Sequence, residues 1–427
     1  MRHASDRELP AGADAGLVTG EVAALLSFAA GARRADGGFG YLAADGSLLP
    51  GRPRETYVTA RMTHVFSLAA MLGRPGAGEL AEHGVRALAG PFHDDEHGGW
   101  RASLGPADGE ADDTKAAYVH AFVLLAGAGA ASAGVPGGVG LLADALAVWD
   151  DHFWDEPVGM AVEEWDRGWA TCSDYRGVNA NMHGVEAMLA AADALELAGV
   201  GPLPGPSAAE LRRRVARVVE RVVHGWARTA DWRLPEHFDA DWGRLPEYNA
   251  DRPSDPFRPY GVTVGHQLEW SRLALHTRAA LGPGAPSWLL ADARGLYGAA
   301  VDRGWRADGF DGFVYTLDWS DSPVVAARMH WVLAEAIAAA GVLARVTGNP
   351  EYERDRQRWD EHATARFRDP AAGSWHHELT PEGRVGTTTW TGKPDVYHVF
   401  QALLLPRLPV RGSVAAGIRA ALASAAG

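Results

Sequence analysis

Apolar residues recur along most of the chain at the spacing of amphipathic helices. In the clearest stretches they stand at i, i+3, i+4 and i+7, the period of one helix face. These stretches are 141–153, 208–227 and 331–348. Strand-like alternation is scarce, and clusters of Gly and Pro separate the helical stretches. The pattern predicts an all-α protein.

One local pattern occurs six times: a loop, a histidine, and then an apolar helix rich in Ala and Leu. The histidines are separated by 56, 63, 83, 64 and 68 residues, about the length of a helical hairpin with its loops. They are His64, His120, His183, His266, His330 and His398. We predict that each histidine lies at the start of an inner helix, where the helix N-terminus offers free N–H groups and partial positive charge.

The chain between consecutive copies is long enough for one further amphipathic helix, such as 141–153, 208–227 or 287–303. Six inner helices that alternate with six outer ones form an (α/α)6 barrel, a toroid around a central cavity. Each repeat buries its apolar face only against its neighbours, so we predict one catalytic domain over residues 1–427. Its ordered core spans roughly residues 20–415, with short tails at both ends.

Net charge and composition exclude several classes of binding partner. The formal net charge is -14, with 40 Lys and Arg against 54 Asp and Glu, and no long basic run is present. Nucleic acid and anionic membranes are therefore not expected as partners. The first 20 residues contain no apolar signal core, which favours a cytoplasmic protein. Cys172 is the only cysteine, which excludes an internal disulfide and a multi-cysteine metal site.

Acid–base chemistry by histidines fits the residues best. Neither the Glu-x-x-His pattern of carboxylate bundles nor His-Glu-x-x-His occurs, so we expect no metal, and no phosphate or dinucleotide motif implies another cofactor. Imidazole can remove a proton next to a carbonyl and return it. Glu186 and Glu269, each three residues after a histidine, are placed to hold its ring, and Arg61 to stabilise an enolate. The expected ligand is a small sugar.

These motifs resemble the N-acylglucosamine 2-epimerase superfamily, and within it the branch of aldose–ketose isomerases that contains mannose and sulfoquinovose isomerases. The resemblance covers roughly residues 30–408. It rests on 56-TYVTARMTHVFSLA, 112-DDTKAAYVHAFVLLA, 179-NANMHGVEAMLAAAD, 258-RPYGVTVGHQLEWSRL, 313-FVYTLDWSDSPVVAARMHW and 390-WTGKPDVYHVFQALLLPRLP. It implies an (α/α)6 barrel that acts on reducing sugars without a metal or redox cofactor.

The resemblance also implies roles for individual residues. His266 and His398 are similar to the catalytic histidine pair of the family, with His398 as the base at C2 of the open-chain sugar and a cis-enediol as the intermediate. Residues that match its substrate-binding positions are Arg61, Tyr118, Asn179 and His183. Residues that line or brace its pocket are Glu186, Glu269, Trp319 and Trp390, and Lys393 lies in the loop before the last helix, where it contacts substrate or stabilises the turn.

Several alternatives remain open at this stage. The residue types alone also permit a sugar 2-epimerase or a sulfoquinovose isomerase, with Arg258, His376 or His377 near an anionic substituent. A barrel of this type also hosts glycoside hydrolases, which need two carboxyl groups. Candidates for that pair are Asp112 with Asp113, and Asp308 with Asp311. A non-catalytic sugar-binding protein is a further alternative. The sequence does not reveal the sugar or the oligomeric state.

Overall fold

A computed structural model describes residues 16–105, 111–197 and 203–426. These residues form thirteen α-helices, and twelve of them alternate between an inner and an outer ring. The inner helices are α2 (Thr56–Met71), α4 (Ala117–Ala133), α6 (Val178–Leu197), α8 (Val264–Leu281), α10 (His330–Thr347) and α12 (Tyr397–Leu404). The outer helices are α1 (Gly20–Ala30), α3 (Ala77–Leu88), α5 (Gly138–Val148), α7 (Ala208–Val219), α9 (Trp288–Gly304) and α11 (Pro350–His362). The predicted (α/α)6 barrel is confirmed.

The inner helices close a complete ring, because α12 contacts α10 on one side and α2 on the other. They are buried on nearly all faces, which explains why their sequences are apolar around the whole circumference. Over the described residues, α10 alone is long and apolar enough to cross a membrane by composition, and 78% of it is buried inside the ring. It is therefore a core helix.

The outer helices lengthen at their C-terminal ends in three places. Single π-helical segments continue α5, α7 and α11 over Trp149–Phe153, Glu220–Ala227 and Ala363–Phe367. The predicted outer helices at 141–153, 208–227 and 287–303 are thus confirmed to within a few residues. The last inner helix is short, since Pro406 follows it in a 3-10 turn, Leu405–Arg407, and cannot continue an α-helix.

Short strands connect the repeats at the N-terminal ends of the inner helices. Five of these helices are preceded directly by a two-residue strand, which pairs antiparallel with a strand that follows the next outer helix. The pairs are β1 (Arg54–Glu55) with β2 (Ser103–Leu104), β3 (Lys115–Ala116) with β6 (Glu164–Trp165), β7 (Arg176–Gly177) with β8 (His237–Phe238), β9 (Val262–Thr263) with β10 (Thr316–Leu317), and β12 (Arg328–Met329) with β15 (Glu378–Leu379). The loops at this end of the barrel are thereby fixed relative to one another.

The remaining strands form local hairpins. They are β4 (Trp154–Asp155) with β5 (Met160–Ala161), β13 (Arg368–Asp369) with β14 (Ser374–Trp375), and β11 (Pro323–Val325) on the outer side of β10.

Two sequence-based expectations need correction. His64 is the ninth residue of α2 and not at its start, so it lies deep in the ring, below the level of the other five histidines. The chain after residue 415 is not a tail: it forms the thirteenth helix, α13 (Val414–Ala426), which packs against α2, α4 and α6 and fully buries Ile418. Of the predicted N-terminal tail, the chain before about residue 20, residues 1–15 lie outside the described residues.

Close backbone approach between inner and outer helices predicts a test of the packing. A Cβ added at Gly127 of α4 would lie 2.8 Å from the backbone nitrogen of Leu142 on α5. We expect Gly127→Ala to reduce the free energy of unfolding by about 1–3 kcal/mol, because the two helices must separate. Gly140→Ala, on α5 with nothing within 4 Å of the added atom, is the control and should leave stability unchanged or slightly higher. Chemical denaturation measures both, and equal stability of the two variants would contradict the packing.

Candidate active site

A pocket of about 610 Å³, including its mouth, lies at the N-terminal ends of the inner helices. Every inner helix or the residue next to it contributes to its wall. The lining residues are Tyr57, Arg61, Tyr118, Asn179, His183, Pro256, Phe257, Pro259, His266, Glu269, Tyr315, His330, Trp331, His377, Trp390, Pro394, Asp395 and His398. Aromatic rings and a few polar groups share this wall, as expected for a small polar ligand with apolar C–H faces.

His266 reaches the pocket from the first turn of α8, and a buried carboxylate holds its ring. The Nδ1 of His266 lies 2.6 Å from the Oε2 of Glu236, which stands directly before β8. Burial opposes ionisation of Glu236, but the adjacent His266 holds the pKa of this carboxyl below its ordinary value. The hydrogen bond takes up Nδ1, which leaves Nε2 as the nitrogen available to a ligand.

His398, the second residue of α12, has the same arrangement. Its Nδ1 lies 2.9 Å from the Oε1 of Glu335, a residue of α10 that is 1% exposed. Burial lowers the pKa of His398, and the hydrogen bond to Glu335 opposes that shift. The ring is therefore neutral at pH 7 and able to accept a proton. Glu335 in turn is paired with Arg272, whose Nε lies 2.9 Å from its Oε2.

Trp331 stands between the two histidines. Its ring centroid lies 5.2 Å from that of His266 and 5.6 Å from that of His398, and both pairs are tilted rather than parallel. Gly265, the residue before His266, allows this placement, because an added Cβ there would lie 2.2 Å from the indole ring. The glycine in VGHQLEW thus makes room for the aromatic group that sets the separation of the two imidazoles.

Arg61 lies on the opposite side of the pocket, on α2. Its Nη1 is 3.1 Å from Asp395 and its Nη2 donates to the hydroxyl of Tyr118 at 2.8 Å. Among the described residues its Nε has no hydrogen-bond partner. Phe122 lies 4.3 Å below the guanidinium. Arg61 is thus a buried cation in the pocket wall, fixed by a carboxylate and a phenol and suited to stabilise an electron-rich oxygen.

The predicted residues of α6 divide between the pocket and its support. Asn179 lines the pocket and donates to the carbonyl of Phe257 at 3.3 Å. His183 also lines it, and burial lowers the pKa of its ring to about 3. Glu186 lies beneath, where it accepts hydrogen bonds from Tyr397 and, at 3.0 Å, from Gln401. Glu186 is therefore a brace and not part of the wall.

Glu269 lines the pocket but does not hold His266. The spacing in the sequence had predicted that it would. Its Oε1 lies 3.3 Å from the Nη2 of Arg272 and 3.8 Å from the Nδ1 of His183. The prediction was wrong because the ring of His266 is turned away from Glu269, toward the loop before β8, where Glu236 lies. Burial, and then the charge of Glu335, raise the pKa of Glu269 well above its ordinary value.

The predicted residues of the outer loops have mixed positions. Trp390 lines the pocket, with its ring edge-on to Phe257 at 5.8 Å between centroids. Trp319 does not line it: the indole Nε1 donates to the carbonyl of Pro246 at 3.0 Å and braces that loop. Lys393 is 1% exposed and its Nζ lies 2.6 Å from Asp369, so it stabilises the turn before α12.

Several residues of the site were not predicted from the sequence. The carboxylates of the histidines are 30 and 63 residues away in the chain, and no local spacing marks them. Asp395 could have been found, since it stands three residues before His398 at the start of the last inner helix. The others are Tyr57, Phe257, Arg272, Tyr315 and Trp331.

Two groups of side chains have the spacing of metal ligands: His183 with Glu186 and Glu269, and Glu269 with Glu335 and His398. The guanidinium of Arg272 reaches all three carboxylates, at 3.7, 3.3 and 2.9 Å. A cation is thus already paired with the carboxylates of both groups.

The carboxyl pairs considered for glycoside hydrolysis lie outside this pocket. Asp113 pairs with Arg101, and Asp112 accepts from the backbone of Thr114 at 3.0 Å. Asp308 pairs with Arg328 at 2.6 Å and Asp311 with Arg306 at 3.3 Å. These four carboxylates are engaged in turns and ion pairs, so they do not form an acid and base pair across the site.

Known proteins have similar sequences and a similar fold. The sequence profile of the family described as N-acylglucosamine 2-epimerase (GlcNAc 2-epimerase) matches residues 37–402. A D-mannose isomerase of Thermobifida fusca is 50% identical over 399 residues, which cover 93% of this chain and 95% of that protein. One from Pseudomonas cannabina pv. alisalensis is 43% identical, with coverage of 92% of each.

A crystal structure of a D-mannose isomerase has the same fold, with a TM-score of 0.82 and 24% identity over 93% of this chain and 99% of that one. On this sequence profile and these relatives, the chain belongs to the N-acylglucosamine 2-epimerase family.

Proposed function

We propose that the protein is an aldose–ketose isomerase that interconverts D-mannose and D-fructose. One observation carries the proposal: two histidines from different inner helices line one pocket, and each has its Nδ1 held by a buried carboxylate. The pair is suited to moving protons between adjacent carbons. The two relatives with 50% and 43% identity that are named D-mannose isomerase support the choice of reaction and sugar.

The proposed reaction begins with the open-chain aldose, whose C2 hydrogen is acidified by the C1 carbonyl. The Nε2 of His398 removes that proton, and the electrons of the C–H bond form the C1=C2 bond of a cis-enediol while O1 takes a proton from His266. His266 then removes the O2 proton, C2 becomes the carbonyl, and His398 returns its proton to C1. Arg61, which lines the pocket, stabilises the negative charge on oxygen during both steps.

The remaining pocket residues have binding roles in this proposal. Tyr118, Asn179 and His183 contact the sugar hydroxyls, and Trp390 covers the ring carbons. Glu269 lines the floor as a neutral acid, and Glu186, Trp319 and Lys393 support the wall from behind.

The protein itself supplies every proton-transfer group, so we also propose a reaction without metal or redox cofactor, within one catalytic domain. The lone cysteine and the buried position of α10 are compatible with a cytoplasmic location, which belongs to the same proposal.

The charges around the pocket favour a neutral sugar. Asp395 adds a carboxylate to the wall, and burial lowers the pKa of His330 to about 3, so this ring is neutral. His377 is stacked on His330 with 3.6 Å between centroids, and burial lowers its pKa well below the usual range. Arg258, a candidate partner for a sulfonate, is instead paired with Glu164 at 2.7 Å. His376 is absent from the wall and lies 4.0 Å from Asp369.

The histidine pair predicts the effect of single substitutions. His266→Ala and His398→Ala should each lower kcat for fructose formation from mannose by about 10²–10⁴-fold, the usual contribution of a general acid or base. His224→Ala is a matched control, because this histidine is also held by a carboxylate, Asp292 at 2.6 Å, but lies in the outer layer. Chromatographic assay of fructose measures the rates. Unchanged turnover in either pocket variant would refute the assignment.

The pocket charges predict the order of substrates. With mannose, lyxose, talose, sulfoquinovose and mannose 6-phosphate, kcat/KM for ketose formation should be at least about 10²-fold lower for the two anionic sugars than for mannose. Among the described lining residues the guanidinium of Arg61 is already paired with Asp395, so it does not compensate a second anion. Addition of a chelator should leave the mannose rate unchanged. Comparable turnover of sulfoquinovose, or formation of glucose without fructose, would instead favour a sulfosugar isomerase or a 2-epimerase.

A further inference from the structure

Arg272 lies directly beneath the floor of the pocket and is 1% exposed. It belongs to α8, six residues after His266, and takes no part in the pocket wall. Its guanidinium contacts carboxylates from three different inner helices. They are Glu335 on α10 at 2.9 Å, Glu269 on α8 at 3.3 Å and Glu186 on α6 at 3.7 Å.

A single cation among three buried carboxylates leaves the charges unequal. Glu269 reduces this imbalance, since burial and the charge of Glu335 raise its pKa well above the ordinary value and favour its protonated form. Glu186 is further stabilised as an anion by hydrogen bonds from Tyr397 and Gln401. For Glu335, burial opposes ionisation, and the charge of Arg272 is the strongest influence that holds its pKa below the ordinary value. The anionic state of Glu335 thus depends on Arg272, together with His398.

Glu335 contacts Arg272 through both of its oxygens and His398 through one of them. Oε2 accepts from the Nε of Arg272 at 2.9 Å, while Oε1 accepts from the Nη2 of Arg272 at 3.4 Å and lies 2.9 Å from the Nδ1 of His398. An ionised carboxylate can only accept at Oε1, so Nδ1 of His398 must carry the hydrogen and Nε2 must be bare. A protonated Glu335 can donate to Nδ1 and so place the hydrogen on Nε2, where it blocks proton abstraction.

We propose that Arg272 is a positioning residue that keeps Glu335 ionised and aimed at His398, and thereby selects the imidazole tautomer able to accept the C2 proton. This inference rests on the proposed function for its catalytic consequence, but the tautomer itself can be observed without turnover. Arg272 acts through Glu335 and does not touch the sugar.

Other charged and titratable groups face this pair from every surrounding element. Besides Arg272, they are Arg61 on α2, His183 and Glu186 on α6, Glu269 and His276 on α8, His330 on α10, Tyr397 on α12, and Asp395 and His377 in the loops before α12. Arg61, the other guanidinium in this set, is paired with Asp395 at 3.1 Å. Arg272 is the guanidinium bonded directly to Glu335.

The first test is the pH dependence of turnover in Arg272→Met and Arg272→Lys. Activity requires ionised Glu335, so it appears as pH rises through the pKa of that carboxyl. Loss of the cation raises this pKa, and the acidic limb of the kcat profile of Arg272→Met should move upward by at least about 4 pH units, to about pH 9. At pH 7 its kcat should fall about 10²-fold or more. Arg272→Lys should keep the acidic limb near its original pH, because lysine keeps the positive charge. Its kcat should fall by less than that of Arg272→Met, since only the two-point contact of the guanidinium with Glu335 is lost.

Arg214→Met is the matched control for a buried, ion-paired arginine. Arg214 is 8% exposed and lies 2.6 Å from Asp150 in the outer layer. Its loss should lower thermal stability without moving the acidic limb. A limb that moves equally in both variants, or in neither, would overturn the proposal.

A double-mutant cycle separates positioning from general support of the fold. Glu335→Gln removes the charge that Arg272 is proposed to maintain, so its kcat should be as low as that of Arg272→Met, and the double variant should lose no more than either single one. Multiplied losses in the double variant would mean that Arg272 acts independently of Glu335. If Arg272→Met does not fold, Arg272→Lys combined with Glu335→Gln carries the same comparison.

Nitrogen-15 NMR of the histidine rings tests the inference without any turnover. In the unaltered protein the ring of His398 should be protonated at Nδ1 and bare at Nε2, and in Arg272→Met at pH 7 a substantial share should carry the hydrogen on Nε2. An unchanged tautomer in the variant would overturn the proposal. A tautomer that changes in a protein without isomerase activity would refute the proposed function and leave the role of Arg272 intact.

Discussion

The chemistry of this site depends on hydrogen bonds between two imidazoles and two carboxylates that are almost completely shielded from water. Buried carboxylates are costly as anions unless opposite charges or donors compensate them. Glu236 meets this requirement through His266, and Glu335 through His398 and Arg272. The imidazoles gain a defined orientation in return. A neutral base in a pocket of low polarity is thereby available at physiological pH.

The barrel supplies these partners from different repeats. Glu335 and His398 come from consecutive inner helices, while Glu236 stands in a loop that β8 fixes against the strand before α6. Because the short strands join neighbouring repeats at this end of the ring, the loops that carry binding groups share one rigid frame. Trp331 and Gly265 then determine how closely the two imidazoles approach. Positions in the ring, and not distances along the chain, therefore set the geometry.

The repeated helix pattern in the sequence is clear enough to predict the ring of helices and to place His266 and His398 around one cavity, and both histidines line the same pocket. This pattern does not predict which carboxylates hold the two histidines. The three-residue spacing predicted that Glu269 would hold the ring of His266. A side chain at the start of a helix can instead contact a loop, and His266 contacts Glu236 there. No motif near Glu236 in the sequence indicates this role. The local sequence around Arg272 does not mark it as part of the site. Its importance follows from three carboxylates that only the closed ring brings together.

A crystal structure with mannitol, an open-chain analogue that cannot react, tests the central claim most directly. The account predicts that C1 and C2 of the ligand lie about 3–3.5 Å from the Nε2 atoms of the histidine pair, with C2 facing His398. The ligand oxygens at these carbons should lie within hydrogen-bond distance of Arg61. Mannitol bound with C1 and C2 away from both imidazoles, or with Nδ1 of His398 released from Glu335, would contradict it.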